Sequence, residues 1–144
     1  MLGPYRSTVE ALAKGKNVDF VGSPNDDDLS VLYKASGHTL FPSVSAYGDQ
    51  RWKRPELLGL VALESLSCGT PVIGSDVGGL GEVLAMTSQT AVPPGDVPAW
   101  HAAMNTAISA GATVVPPSAG MFTWDATAER SRRLYRQVLG KNVA

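Results

Sequence analysis

Pro55-Glu56-Leu57-Leu58-Gly59-Leu60-Val61-Ala62-Leu63-Glu64-Ser65-Leu66-Ser67-Cys68-Gly69-Thr70-Pro71-Val72-Ile73-Gly74-Ser75 contains a loop, a helix, a stop and a strand. Leu57, Leu60, Val61, Leu63 and Leu66 recur at helical spacing, and Gly69 is the natural stop. Pro55 and Gly59 place the helix start near Leu58, which leaves Glu56 in the preceding loop and Glu64 on the helix. Were the segment wholly helical, the two glutamates would stand about 12 Å apart along the axis. The amides of Gly59, Leu60 and Val61 then have no helical partner and carry the positive end of the helix dipole, the makings of a diphosphate site. Gly59 has no side chain to hold phosphates away from the backbone. Glu56 and Glu64 can accept hydrogen bonds from sugar hydroxyls on either flank, in the order of a sugar–diphosphate–ribose chain. The same residues also describe an ordinary amphipathic helix with Glu64 on its wet face, and spacing does not choose between the two.

Outward from this segment, strand-like and helix-like stretches alternate between short Gly/Pro/Asn/Asp breaks. Helices are predicted over Ser7–Leu12, from Asp26-Asp27-Asp28 through Tyr33, about Leu58–Ser67, Leu80–Ala85, from the Asp96 cap through Ala110, and from an Asp125 cap to near Leu139. Strands are predicted at Val18–Val21, Thr39–Phe41, Pro71–Ser75 and Thr90–Val92, with Gly111–Gly120 irregular. Strand, crossover helix and next strand in repetition mean an α/β fold with a parallel sheet flanked by helices on both faces. Ligands in such sheets sit at the carboxyl ends of the strands, here the loops 22–25, 42–57, 75–80 and 93–96.

Composition narrows the classes of function. The 144 residues carry a formal net charge of −1, too near neutral to gather nucleic acid or an anionic membrane. Hydrophobic residues make up 44% and charged residues 17%, too apolar for disorder. The apolar run Leu57–Leu63 is far shorter than the roughly 20 residues a transmembrane helix needs, and the first residues lack a signal-peptide pattern. The single cysteine, Cys68, cannot form an internal disulfide or a zinc site by itself. The expectation is a cytoplasmic domain.

The run from Glu56 to Ser75, followed by Asp76-Val77-Gly78-Gly79-Leu80-Gly81-Glu82-Val83, resembles the donor domain of the retaining glycosyltransferases of GT-B fold, family 4. Its hallmark is Glu, seven residues, Glu, then Cys/Ala-Gly-Thr-Pro-Val and a Gly-Gly-x-x-Glu turn. Val18–Gly22, Leu32–Ala35, Leu40–Ser43, Val92–Asp96, Phe122–Asp125 and Arg133-Leu134-Tyr135 extend the likeness in order over most of the chain. The resemblance implies a Rossmann-like sheet, the C-terminal half of a GT-B fold, binding a UDP-, GDP- or ADP-sugar. It gives Glu56 the catalytic position beside the donor sugar and Glu64 the ribose hydroxyls. Gly59, Leu60 and Val61 fall to the diphosphate, Val21, Gly22 and Ser23 to the base. Gly78 and Gly79 are assigned to the donor site as well, although any tight turn would also need glycines. It implies leaving-group stabilisation at the phosphates and front-face displacement, with no metal and no other cofactor. Asp26-Asp27-Asp28 is read as helix capping.

The sequence also departs from the family pattern. Against that pattern, residues 1–144 are expected to form a single partial nucleotide-sugar-binding domain, without the N-terminal acceptor domain and the first donor-domain strand, and the isolated chain is expected to be inactive. A lost partner domain would leave an apolar cleft face, through which a homodimer can form. Leu58 stands where Phe is usual, and Ala46–Arg54 lengthens the loop before Glu56 with basic residues that can reach phosphate or acceptor. His38, His101 and Cys68 are read as structural or exposed, Trp124 and Tyr135 as anchors of the last helix, and Trp100 as core or interface. Two other readings stay open: a non-catalytic module that binds a nucleotide sugar or only another subunit, and a fragment of a GT-B sugar-nucleotide epimerase.

Overall fold

Val72-Ile73-Gly74-Ser75 is buried at every position, which places it in the middle of a sheet covered on both sides. The computed structural model describes residues 5–44, 56–111 and 122–140. Their elements are α1 (Arg6–Ala13), α2 (Asp26–Ala35), β1 (Thr39–Phe41), α3 (Leu60–Ser67), β2 (Val72–Ser75), α4 (Gly78–Met86), β3 (Thr90–Val92), α5 (Val97–Ala110) and α6 (Trp124–Val138). The sheet runs β1-β2-β3 and both pairings are parallel, with Leu40 opposite Ile73 and Ile73 opposite Thr90. Parallel neighbours need a crossover, and α3 and α4 supply the two. This is the Rossmann-like parallel sheet with flanking helices that the alternation of segments predicts.

The core lies between the sheet and these two crossover helices. Ala62 and Leu66 of α3 and Leu80, Val83 and Leu84 of α4 close over Val72, with Phe41 and Leu63 at the margin. Gly74 lets α4 approach the strand, because a methyl group there would press on Leu84 Cδ1 at 2.8 Å. Buried hydroxyls tie the layers together: Ser65 meets Thr39 at 2.7 Å and donates to the Thr70 carbonyl at 3.1 Å, while Thr70 donates to the Tyr33 carbonyl at 2.5 Å. On the opposite face, α5 packs along β3. Beside it, a recess of about 290 Å³ remains between Met104, Ala107 and Ile108 and the strand residues Leu40 and Ile73, with His38 at its rim.

Several expectations are corrected. Val18–Val21 is not a strand, and Val18, Phe20 and Val21 are exposed. A parallel strand needs cover, and α1, the helix beside it in sequence, buries no residue. Helix α3 begins at Leu60 rather than Leu58, because Gly59 takes the left-handed conformation at φ +69°. Helix α4 starts at Gly78 rather than Leu80, so the glycine pair forms its first turn. The α6 cap is Thr123, which accepts from the Ala126 amide at 3.1 Å, and Asp125 lies in the first turn. Trp124 and Tyr135 are 89% and 66% exposed and do not anchor α6, which buries no residue. Ala46–Arg54, Pro55 and most of Gly111–Gly120 lie outside the described residues. The caps of α2 and α5 are as expected: Asn25 accepts from Asp28 at 2.9 Å ahead of three aspartates in the first turn, and Asp96 accepts from Ala99 at 2.9 Å.

Candidate functional site

At the mouth of α3, Glu56 folds back so that its Oε1 accepts from the Gly59 amide at 3.1 Å. The sequence reading left that amide free; here it is occupied. The next amides differ. Ala62 and Leu63 donate to the Gly59 carbonyl at 2.9 and 3.3 Å, whereas no described protein atom accepts from Leu60 or Val61. Two N–H groups at the positive end of α3 therefore remain available, with the Glu56 carboxylate beside them. The surroundings are apolar and open: Leu57 is 86% exposed, and Leu58, Leu60 and Val61 are exposed as well. Helix α3 instead turns Ala62, Ser65 and Leu66 inward, so the apolar residues at its start surround the free amides rather than filling the core.

Backbone packing fixes this mouth. The Gly79 amide donates to the Glu56 carbonyl at 3.0 Å. A methyl group on Gly78 would strike that same carbonyl, and one on Gly79 would strike the Leu57 carbonyl and lie 2.9 Å from Leu58 Cα. On Gly59 it would stand 3.0 Å from Leu80 Cδ1. The 56–59 loop and the first turn of α4 thus meet main chain to main chain, which only glycine permits. This close approach gives Gly78 and Gly79 a supporting place next to Glu56. Just upstream, Ser75 Oγ at the carboxyl end of β2 is fully buried with no hydrogen-bond partner among the described residues.

Glu64 lies along α3 on a different side. It lines a cavity of about 330 Å³ between α2 and α3 with Asp26, Leu29, Ser30, Tyr33, Ser67 and Cys68. Burial, then the charges of Glu64 and Cys68 and a hydrogen-bonding approach from Glu64, push the Tyr33 hydroxyl's pKa above its usual value. Tyr33 and Asp26 are the neighbours of Glu64 that sequence reasoning did not single out for the site. The inward position of Tyr33 on the α2 period was the only signal for it. Val21 and Ser23 line another depression, of about 590 Å³, with Pro24, Asn25, Asp28, Val31 and Leu32 on a second face of α2, and Gly22 turns between them at φ +84°. Glu56 and Gly59 are thus together, Glu64 lies beyond them along α3, and Val21–Ser23 lines a recess that Glu64 does not share. Among the described residues, no three His, Cys, Asp or Glu side chains gather as metal ligands, and no helix is long and apolar enough to cross a membrane.

Residues 3–114 match the model of the family described as Glycosyl transferases group 1. The chain belongs to that family. Among curated glycosyltransferases, it is 30% identical over 145 residues to the D-inositol 3-phosphate glycosyltransferase of Jonesia denitrificans, covering 94% of this chain and 31% of that protein. It is 34% identical over 82 residues to a sulfoquinovosyl transferase of Arabidopsis thaliana, covering 57% of this chain and 14% of that protein. Among solved structures, the sucrose-phosphate synthase of Thermosynechococcus elongatus superposes with a TM-score of 0.69 at 32% identity, over 97% of this chain and 36% of that one. The chain spans about a third of the length, or less, of the curated relatives it matches. Its sheet and flanking helices correspond to a Rossmann-like half of a GT-B glycosyltransferase.

Proposed function

We propose that this group 1 glycosyltransferase domain binds the nucleotide-diphosphate sugar of a retaining transferase, and that the mouth of α3 is where the diphosphate sits. The observation that carries this reading is the pair of amides, Leu60 and Val61, without a partner among the described residues at a helix start opened by a left-handed glycine. They can donate to diphosphate oxygens, and the dipole of α3 favours the charge that grows there as the sugar departs. Glu56, held by the Gly59 amide, stands at the end where the donor sugar would lie and can accept from its hydroxyls. Glu64, farther along the helix, faces a recess of about 330 Å³ and can accept from ribose hydroxyls placed there. Val21, Gly22 and Ser23 take the base, and Gly78 and Gly79 support the loop. Helix-terminus binding neutralises phosphate without a metal ion, so the reading assigns none. It does not select among uracil, guanine and adenine, because amides recognise only the phosphates.

Calorimetric titration with UDP, GDP and ADP and with their glucose or mannose conjugates tests this. One nucleotide series is expected to bind, and Glu64→Ala is expected to weaken it about ten- to 150-fold through loss of hydrogen bonds to a charged acceptor. Failure of every nucleotide to bind at millimolar concentration, or equal binding by Glu64→Ala, would sink the assignment.

A further inference from the structure

Tyr33 is the one buried residue of α2, with 9% of its surface exposed. Two contacts fix it from the main-chain side. Thr70 Oγ1 donates to its carbonyl at 2.5 Å, and the Ser36 amide closes the end of the helix onto the same oxygen at 3.0 Å. Its side chain lines the recess it shares with Ser67, Cys68 and Glu64 of the α3 segment and with Asp26, Leu29 and Ser30 of its own helix. The titratable groups facing that recess are therefore Asp26, Glu64 and Cys68. Glu64 is exposed, and among the described residues the approach of the Tyr33 hydroxyl is the one hydrogen-bonding interaction its carboxylate has. An exposed glutamate samples several rotamers, and fixing one of them on binding has an entropic cost.

The Tyr33 hydroxyl is the donor placed to reduce that cost. Burial and the neighbouring Glu64 carboxylate keep the phenol protonated, hence a donor, throughout the neutral range. Hydrogen bonds of this kind are commonly long in an empty site and tighten when ligand arrives. We infer that Tyr33 is a positioning residue, its hydroxyl holding one oxygen of the Glu64 carboxylate so that the other is aimed at the vicinal hydroxyls of a ribose. This rests on the assignment of Glu64 to ribose, and it adds a residue that touches neither phosphate nor sugar.

Tyr33→Phe keeps the buried ring and the carbonyl that Thr70 uses, and removes only the hydroxyl. Its affinity for the best nucleoside diphosphate is expected to fall about three- to tenfold. Its affinity for the 2′,3′-dideoxy form of the same nucleotide should be unchanged, and in a Glu64→Gln background the substitution should have no further effect. A ligand-free readout accompanies these. In ultraviolet difference titration, the tyrosine missing from Tyr33→Phe should ionise at a lower pH in Glu64→Gln than in the parent protein. If Tyr33→Phe binds the ribonucleotide like the parent while Glu64→Ala does not, the positioning role is wrong and the ribose assignment stands. Equal weakening toward ribo- and dideoxynucleotide would reduce Tyr33 to a packing residue. If neither substitution alters ribonucleotide affinity, both assignments fall.

Discussion

One methyl group separates Gly79 from alanine, and in this fold that methyl would occupy the space of the Leu57 carbonyl. Gly79→Ala is therefore expected to lower stability by about 1–3 kcal/mol in urea denaturation, as overpacking usually does, and to displace the loop that carries Glu56. Glu56→Gln has a different signature. The neutral amide oxygen still accepts from the Gly59 N–H, so calorimetry should show free nucleoside diphosphate binding nearly as before and the sugar conjugate losing its added affinity. Ser75 supplies a third contrast. Its hydroxyl is buried without a partner among the described residues, so Ser75→Ala removes a desolvated polar group and should leave the melting temperature unchanged or raise it, worth up to about 1 kcal/mol. Tyr33 links stability to pH. Its pKa is raised in the fold, so its contribution is complete below about pH 10 and is lost as pH rises through the folded value. Denaturation at alkaline pH should show a shallower decline for Tyr33→Phe. The places of Glu56 in the loop, Gly59 at the helix start and Glu64 on the helix were legible, because a proline, a glycine and a helical period leave marks in the sequence. The occupied Gly59 amide was not, since a loop side chain folding back leaves none.

The six described helices lie within two residues of their predicted ends, whether or not a side chain caps them. Helix α5 runs from its Asp96 cap to Ala110 as predicted, because Asp96 meets the Ala99 amide and Gly111 takes φ +76° at the far end. Helix α6 is expected from the sequence to be capped by Asp125, and Thr123, two residues earlier, holds it instead. Thr123→Ala should cost about 1 kcal/mol, seen as lower helical circular dichroism confined to the α6 contribution, while Asp125→Ala should do less. The glycine pair misled for a physical reason: Gly78 and Gly79 suggest a turn by composition, yet their close approach to residues 56–58 lets the first turn of α4 form there. Leu84 tests the same helix from the inside. It is completely buried against β2, so Leu84→Ala should cost about 2–5 kcal/mol, the usual range for a buried leucine.

At the scale of the molecule, burial among the described residues is concentrated in the sheet with α3 and α4, and α1 and α6 add little. Native-state hydrogen exchange should find β2 and α4 slowest, while α1 and α6, which bury no residue, exchange near the rate of isolated helices. Uniform protection along the chain would contradict this division. The parallel sheet was legible because β-branched and small residues between helical periods leave few other folds. Val18–Val21 was misread because local composition marks a strand without showing whether another strand pairs with it. The contact between the 56–59 loop and α4 has a consequence for how such proteins diversify. It is built from carbonyls, amides and glycines, so exchanging side chains around the recesses does not shift it. A lineage can retune which base, sugar or acceptor it prefers while this joint keeps its dimensions, much as a lathe keeps its chuck while the tools are changed.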